Sequence, residues 1–162
     1  MKKINKMCSF YVNDWHLTVM MLPYINNKMQ NNEKITILSE ENLETNIKTI
    51  LQKINIKDET KNEIENLGWA KTPFNKIDTI INEVTSKDNI IVIGDEKYIE
   101  NANEIIEEKI KTGEINIVNC YEVMQFNNNI ENILKNHEKV INTSGEKTIQ
   151  EMFDGFSKKE VI

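Results

Sequence analysis

The side chains in this chain that can do chemistry are few and widely spread. His16 and His137 are its histidines, and Cys8 and Cys120 its cysteines. Either histidine can ligate a transition metal beside a cysteine or a carboxylate, but the spacings match no zinc pattern and neither cysteine belongs to a CxxC pair. A metal-dependent enzyme, or one using a Cys/His pair, therefore needs the fold to gather these residues. Cys8 and Cys120 meet only if the strands that carry them lie close together. No serine or cysteine occupies a GxSxG elbow. As small apolar side chains in strand-like runs, both cysteines also suit a core. His137 continues the stripe Ile130, Ile133, Leu134, as a half-buried helix residue would.

Phosphate chemistry has even less support. The chain holds 5 glycines, with no GxxxxGK[ST] and no GxGxxG. Ser144-Gly145-Glu146-Lys147-Thr148 echoes the end of a phosphate-binding loop, but it lacks the first glycine and places Glu146 before the lysine. A phospho-receiver needs paired acidic residues after the first strand, an aspartate after the third and a lysine after the fifth. Only Asn13-Asp14 answers that pattern.

The elements that must position these groups alternate between short β-rich runs and longer helical ones. Strands are predicted at 7–12, 34–39, weakly at 69–72, at 89–94, at 115–121, and at 140–141 as a short edge. Helical spacing runs from 15 to 30, interrupted by Pro23, then over 43–54, 58–67, 77–84, from Asp95 to about Thr112, and over 128–137. Asn13-Asp14 and Asp95 are good helix caps, while Gly68 and Gly113 are good stops. Ile149, Met152, Phe153 and Phe156 mark an amphipathic C-terminal helix over 146–158. The pattern predicts one α/β domain over 1–162, three-layered, with a mostly parallel sheet of about five to six strands and helices on both faces. In such sheets ligands sit beyond the carboxyl ends of the strands. That rule gathers Asn13, Asp14 and His16, then Ser39 and Glu40, then Gly94 and Asp95, then Tyr121 and Glu122. Several have a plainer use, since Asp14 and Asp95 serve as caps and Ser39, Glu40 and Glu41 suit a first helical turn.

Composition sets the limits. The chain has 162 residues, 39% hydrophobic and 28% charged, enough to bury a core without disulfides or metal. Its net charge is -6, and all 20 basic residues are lysines. A dense basic footprint and arginine-to-guanine readout are both absent, which argues against a nucleic-acid partner. No apolar run is long enough to span a bilayer, and Met1-Lys2-Lys3-Ile4-Asn5-Lys6 leads into no signal-like apolar stretch, so a reduced cytoplasmic setting without membrane attachment is expected. The many asparagines suggest no chemistry.

Several short motifs resemble the MEDS family, the methanogen/methylotroph DcmR-type sensory domain, a relative of the RecA/KaiC-like fold without a functional P-loop. They are Lys6-Met7-Cys8-Ser9-Phe10-Tyr11, Leu22-Pro23-Tyr24-Ile25, Asn31-Asn32-Glu33-Lys34 ahead of Ile35-Thr36-Ile37-Leu38, Cys120-Tyr121-Glu122 with Phe126, and His137-Glu138-Lys139-Val140-Ile141. The similarity extends over about 6–142, with Lys6 where the family opens on histidine and Glu122 where it has aspartate. It implies a RecA/Rossmann-like sheet and a non-enzymatic module that senses a small molecule without a cofactor and passes its signal to a protein partner; a homodimer is compatible with it. The ligand is expected between a wall of Met20, Met21 and Met29 and the polar set Tyr11, Glu122 and His137, with Asp14, His16, Asp95 and Tyr121 nearby and Cys8 and Cys120 as redox or metal candidates. His137 is expected to turn toward Tyr121 and Glu122, where a carboxylate would raise its pKa. Two other readings are a degenerate RecA-like interaction domain, docking through its C-terminal helix, and the metal- or Cys/His-dependent enzyme.

Overall fold

Alternation along the strands divides the molecule. In Asn89–Gly94 all six residues are buried, as in a strand covered on both faces. Ile91 and Ile93 enter one hydrophobic cluster while Ile90 and Val92 enter another. The computed structural model describes residues 2–84, 88–123, 130–143, 145–149 and 151. Among these, the strands are β1 (Lys2–Tyr11), β2 (Ile35–Ser39), β3 (Asn89–Gly94), β4 (Gly113–Glu122), β5 (Lys139–Asn142) and β6 (Gly145–Thr148). The helices are α1 (Asp14–Gln30), α2 (Glu44–Lys53), α3 (Asp58–Glu65), α4 (Phe74–Ile81), α5 (Glu96–Lys109) and α6 (Ile130–Lys135). One sheet runs in the order β2-β3-β4-β1-β5-β6, parallel except for the β5–β6 pair. Helices α1, α2 and α3 cover the face that includes Met7, Ile91 and Cys120; α4, α5 and α6 cover the face that includes Cys8, Val92 and Ile117. The expected three-layer α/β architecture is the one formed.

Local chemistry explains most boundaries. Asn13 is the N-cap of α1, its Oδ1 accepting the His16 N–H at 2.8 Å. Pro23 lies inside α1 on its exposed side, where the carbonyl it leaves without an N–H faces water. Asp95 caps α5 by accepting the Tyr98 N–H at 2.8 Å.

Five expectations change. The first strand begins at Lys2, not Met7, because β1 pairs with β4 along all ten residues from Lys2↔Gly113 to Tyr11↔Glu122. Residues 69–72 form no strand: Trp69 O accepts the Leu43 N–H and Thr72 N–H donates to Ser39 O, two isolated bonds that fasten the segment across the end of β2 just before Pro73. The helix before Gly113 stops at Lys109, and Gly113 opens β4 with φ 93°. Residues 140–141 are not at an edge, and 146–148 are not helical. Gly145, at φ 103°, starts the antiparallel edge strand β6 beside β5. Ile149 packs against the α5 side of the core. Met152, Phe153 and Phe156 lie outside the described residues, as do Phe126 and Ser144.

Three of the asparagines have a structural role. Asn5, Asn116 and Asn89 are in lateral register on β1, β4 and β3. Asn5 Nδ2 donates to Asn116 Oδ1 at 3.0 Å, and Asn116 Nδ2 donates to Asn89 Oδ1 at 3.1 Å. The Tyr24 hydroxyl donates to the same Asn89 oxygen, tying α1 to this amide ladder at the amino end of the sheet. Such a ladder satisfies polar groups that would otherwise be costly beside a buried strand.

Candidate functional site

The sheet separates the expected site residues into two groups. On β1 and β4 the partners Phe10↔Tyr121 point to the α5–α6 side, and the next pair, Tyr11↔Glu122, points to the α1–α2 side. Tyr121 and Glu122 are consecutive in a strand and so cannot share a pocket. Beyond the carboxyl ends of β1, β2, β3 and β4 lies a cleft of about 300 Å3 that includes Tyr11, Asp14, Ser39, Glu40, Glu41 and Glu122. His137 is not there. It precedes β5, level with Lys6 and Met7 half-way along β1, and faces a separate groove with Tyr121.

The carboxyl-edge cleft has one sign of charge. Its charged lining residues are Asp14, Glu40, Glu41 and Glu122, with no lysine among the described ones. Burial of Glu40 is the main cause that raises its pKa, and Asp95 and Glu41 push the same way. The Asp95 backbone N–H, donated to Glu40 Oε1 at 3.0 Å, opposes them. Tyr11 is 6% exposed, and its hydroxyl, without a hydrogen-bond partner among the described residues, is open to the cleft. Burial first, then the charges of Glu122, Asp14 and Glu40 among others, hold its phenol well above the ordinary range. Tyr11 therefore stays protonated at the centre of the carboxylates, able to donate or to accept. Asp14 is oriented by Asn46, whose Nδ2 donates to Asp14 Oδ2 at 2.5 Å. Ser39 is fixed by donating to Glu41 O at 2.7 Å.

Gly94 makes the cleft floor compact. A Cβ there would lie 2.8 Å from Tyr98 Cδ1 and 3.0 Å from Glu40 Cβ. Tyr98 in turn donates its hydroxyl to Thr72 O at 2.8 Å. Glycine is needed here for close approach, not for its backbone angles. The sequence placed Gly94 at the end of the right strand, but Asn46, Thr72 and Tyr98 carried no signal of their own.

Other expected residues have local duties. His16 accepts the Val12 N–H through Nδ1 at 3.1 Å while its own N–H is capped by Asn13, so it closes the turn into α1. Asp95 is occupied as the α5 cap. Met20 and Met21 are 3% and 2% exposed and belong to the core; they form no wall of the cleft. Cys8 and Cys120 do sit on neighbouring strands, yet on opposite faces, because Cys8 is in register with Asn119 and Cys120 with Ser9. Burial pushes the Cys8 thiol up to about 12 and the Cys120 thiol higher still, so neither offers a thiolate nucleophile. The expected Cys/Cys or Cys/His constellation is not assembled, and among the described residues no three His, Cys, Asp or Glu side chains are placed to hold one metal ion.

His137 is the end of a buried polar chain. Asn103 and Asn119 exchange two amide hydrogen bonds at 2.8 and 3.1 Å, and Asn119 Nδ2 lies 2.9 Å from His137 Nε2. Both Asn119 amide hydrogens are thereby used, so Nε2 must accept. Nδ1 carries the proton and donates it to Ile133 O at 2.5 Å. The ring is neutral. Burial is the main cause that lowers its pKa from 6.5, the Ile133 carbonyl opposes the shift, and Lys6 adds to it. The expected carboxylate partner and upward shift are replaced by an amide partner and a downward one.

This arrangement has a pH consequence. A histidine whose folded pKa is depressed contributes its full stability above the unfolded value and loses it as pH falls. Unfolding free energy should therefore drop by roughly 1 kcal/mol at most between pH 7 and pH 5.5 on account of His137. Urea unfolding of wild type and His137→Gln at both pH values checks this. A His137→Gln protein with an undiminished pH slope would show that the ring is not held neutral.

No described helix is long and apolar enough to cross a membrane. Comparison with family models, with curated proteins and with solved structures returns no match.

Proposed function

We propose that this chain is a small-molecule-sensing module that takes a compact organic cation in the carboxyl-edge cleft. The observation that carries the reading is Tyr11: a buried tyrosine whose hydroxyl, without a partner among the described residues, opens among Asp14, Glu40 and Glu122. A cation with N–H donors would pair with the carboxylates and find an acceptor in the phenol oxygen. Anions such as nucleotides would meet repulsion, with no lysine among the described lining residues to offset it. The spread of the carboxylates favours an organic cation with several N–H donors over a single metal ion. The resemblance to MEDS sensory domains supports a signalling role exercised through a protein partner. A reducing, cytoplasmic setting goes with it, since both cysteines are buried and free. An interaction module docking through residues 146–158 gains less support, because 146–148 belong to β6 and Ile149 packs on its own core.

Thermal-shift measurement against guanidinium, methylammonium and imidazolium, with nucleotides and inorganic phosphate as the anionic arm, tests the reading. A ligand at a hundredfold excess over its Kd adds about 2.7 kcal/mol of stability. For a chain of this size that is a rise of roughly 5–10 °C in Tm. Tyr11→Phe together with Glu122→Gln should remove most of the rise. Stabilisation by the anions alone, or by none of the cations, would defeat the proposal.

A further inference from the structure

On the other face of the sheet a groove of about 410 Å3 runs between α5 and α6, over the end of β4. Tyr121 forms its floor. The ring is 6% exposed, stacked on Phe10 at 5.7 Å between centroids and met edge-on by His137 at 6.1 Å. These contacts hold the ring, yet its hydroxyl has no hydrogen-bond partner among the described residues and opens into the groove. No buried side-chain polar atom among the described residues lacks a partner, so this hydroxyl is open to the groove, and on a ring held this firmly it is a fixed hydrogen-bonding position for a ligand atom.

The wall beside it has a regular charge. Glu96, Glu100 and Glu104 line the groove from α5 at intervals of four residues, so they form one row with a repeat of about 6 Å. Glu96 and Glu100 line the same groove as Tyr121, and their charges add to the burial that raises its phenol pKa. The single lysine among the described lining residues, Lys6, is held at the amino end in an ion pair with Glu107. His137 adds no charge, being a neutral donor to Ile133 O.

We propose that the α5–α6 groove is a second ligand site, for a linear aliphatic di- or triamine, with successive ammonium groups paired to the Glu100 and Glu104 carboxylates and one ammonium N–H donated to the Tyr121 hydroxyl. The row of carboxylates calls for charges spaced along a chain, which a compact cation or one metal ion does not supply. The proposal does not rest on the carboxyl-edge reading: Tyr121 and Glu122 point to opposite faces, and the two cavities share no lining residue.

The probe is spermidine, titrated into the full chain at about 150 mM NaCl so that diffuse surface attraction is screened. Calorimetry gives the affinity and backbone amide spectra give the location. Saturable binding that shifts the signals of Glu100, Asn119 and Tyr121 is the expected result. Tyr121→Phe and Glu100→Gln should each weaken it by about tenfold, the loss of one charge-assisted hydrogen bond, while Tyr11→Phe leaves the α5 signals as in wild type. Glu100 is exposed, so its variant folds even if Tyr121→Phe does not. The site is overturned by binding that does not saturate at this salt, by shifts confined to the Tyr11 cleft, or by wild-type affinity in Glu100→Gln.

Discussion

Asn119→Ala is expected to destabilise the protein by about 3 kcal/mol. Asn119 is 1% exposed and takes part in three side-chain hydrogen bonds, two with Asn103 and one with His137. Alanine removes all three at once. It leaves Asn103 Oδ1 without its donor and His137 Nε2 facing a void, and each buried group deprived of a partner costs about 1–3 kcal/mol. The lower part of that range applies to Asn103 and His137, since both border the α5–α6 groove and water can reach them. For a chain of this length the loss corresponds to a fall of roughly 6–12 °C in Tm. The amides act as a unit, so Asn103→Leu combined with Asn119→Leu should cost less than the sum of the single changes. Urea unfolding of the four proteins gives the cycle. Strict additivity, or a loss for Asn119→Ala under 1 kcal/mol, would mean that the chain of bonds is not made in solution.

The second large effect is at Gly94. Gly94→Ala should cost about 2 kcal/mol, the scale of an overpacked site, and should also disturb the carboxyl-edge cleft. Both neighbours that the new methyl group meets are anchored. Tyr98 is 3% exposed, bonded to Thr72 O and packed against Phe74 at 5.1 Å between ring centroids. Glu40 donates its N–H to Ile93 O at 2.9 Å while its carboxylate receives the Asp95 N–H. Neither can retreat without breaking a hydrogen bond. Relief should come from the tyrosine side, so Gly94→Ala in a Tyr98→Leu background should cost clearly less than in wild type. Equal costs in the two backgrounds would place the strain elsewhere.

Much of the architecture was legible because it rests on local periodicity. The unbroken apolar run at Ile90–Ile93 could only be a strand covered on both faces, and Asn13 and Asp95 have the side chains that cap helices. Strand alternation also implied that Tyr121 and Glu122 diverge. Grouping residues by their nearness to a strand end concealed that consequence and joined Tyr11, Glu122 and His137 in one expected pocket. The edge strand β6 was obscured because Gly145-Glu146-Lys147-Thr148 alternates without an apolar face, and its pairing with β5 depends on the turn made at Gly145.

What the sequence by itself determined is therefore the type of each main element, the layered α/β class and the acidic, arginine-free surface chemistry. These depend on residue type and spacing within one segment. Only the tertiary structure decided which residues meet. The register of β1 on β4 sets Cys8 beside Asn119 and keeps it across the sheet from Cys120. The position of β5 on the other side of β1 brings His137 level with Lys6, to an amide and not to a carboxylate. The pairing of Phe10 with Tyr121 and of Tyr11 with Glu122 gives Tyr11 and Tyr121 separate carboxylate-lined cavities, one on each face. The reason is physical: a register is chosen by the summed burial and hydrogen bonding of two strands far apart in the chain, and shifting it by one residue would exchange the faces of every side chain at once.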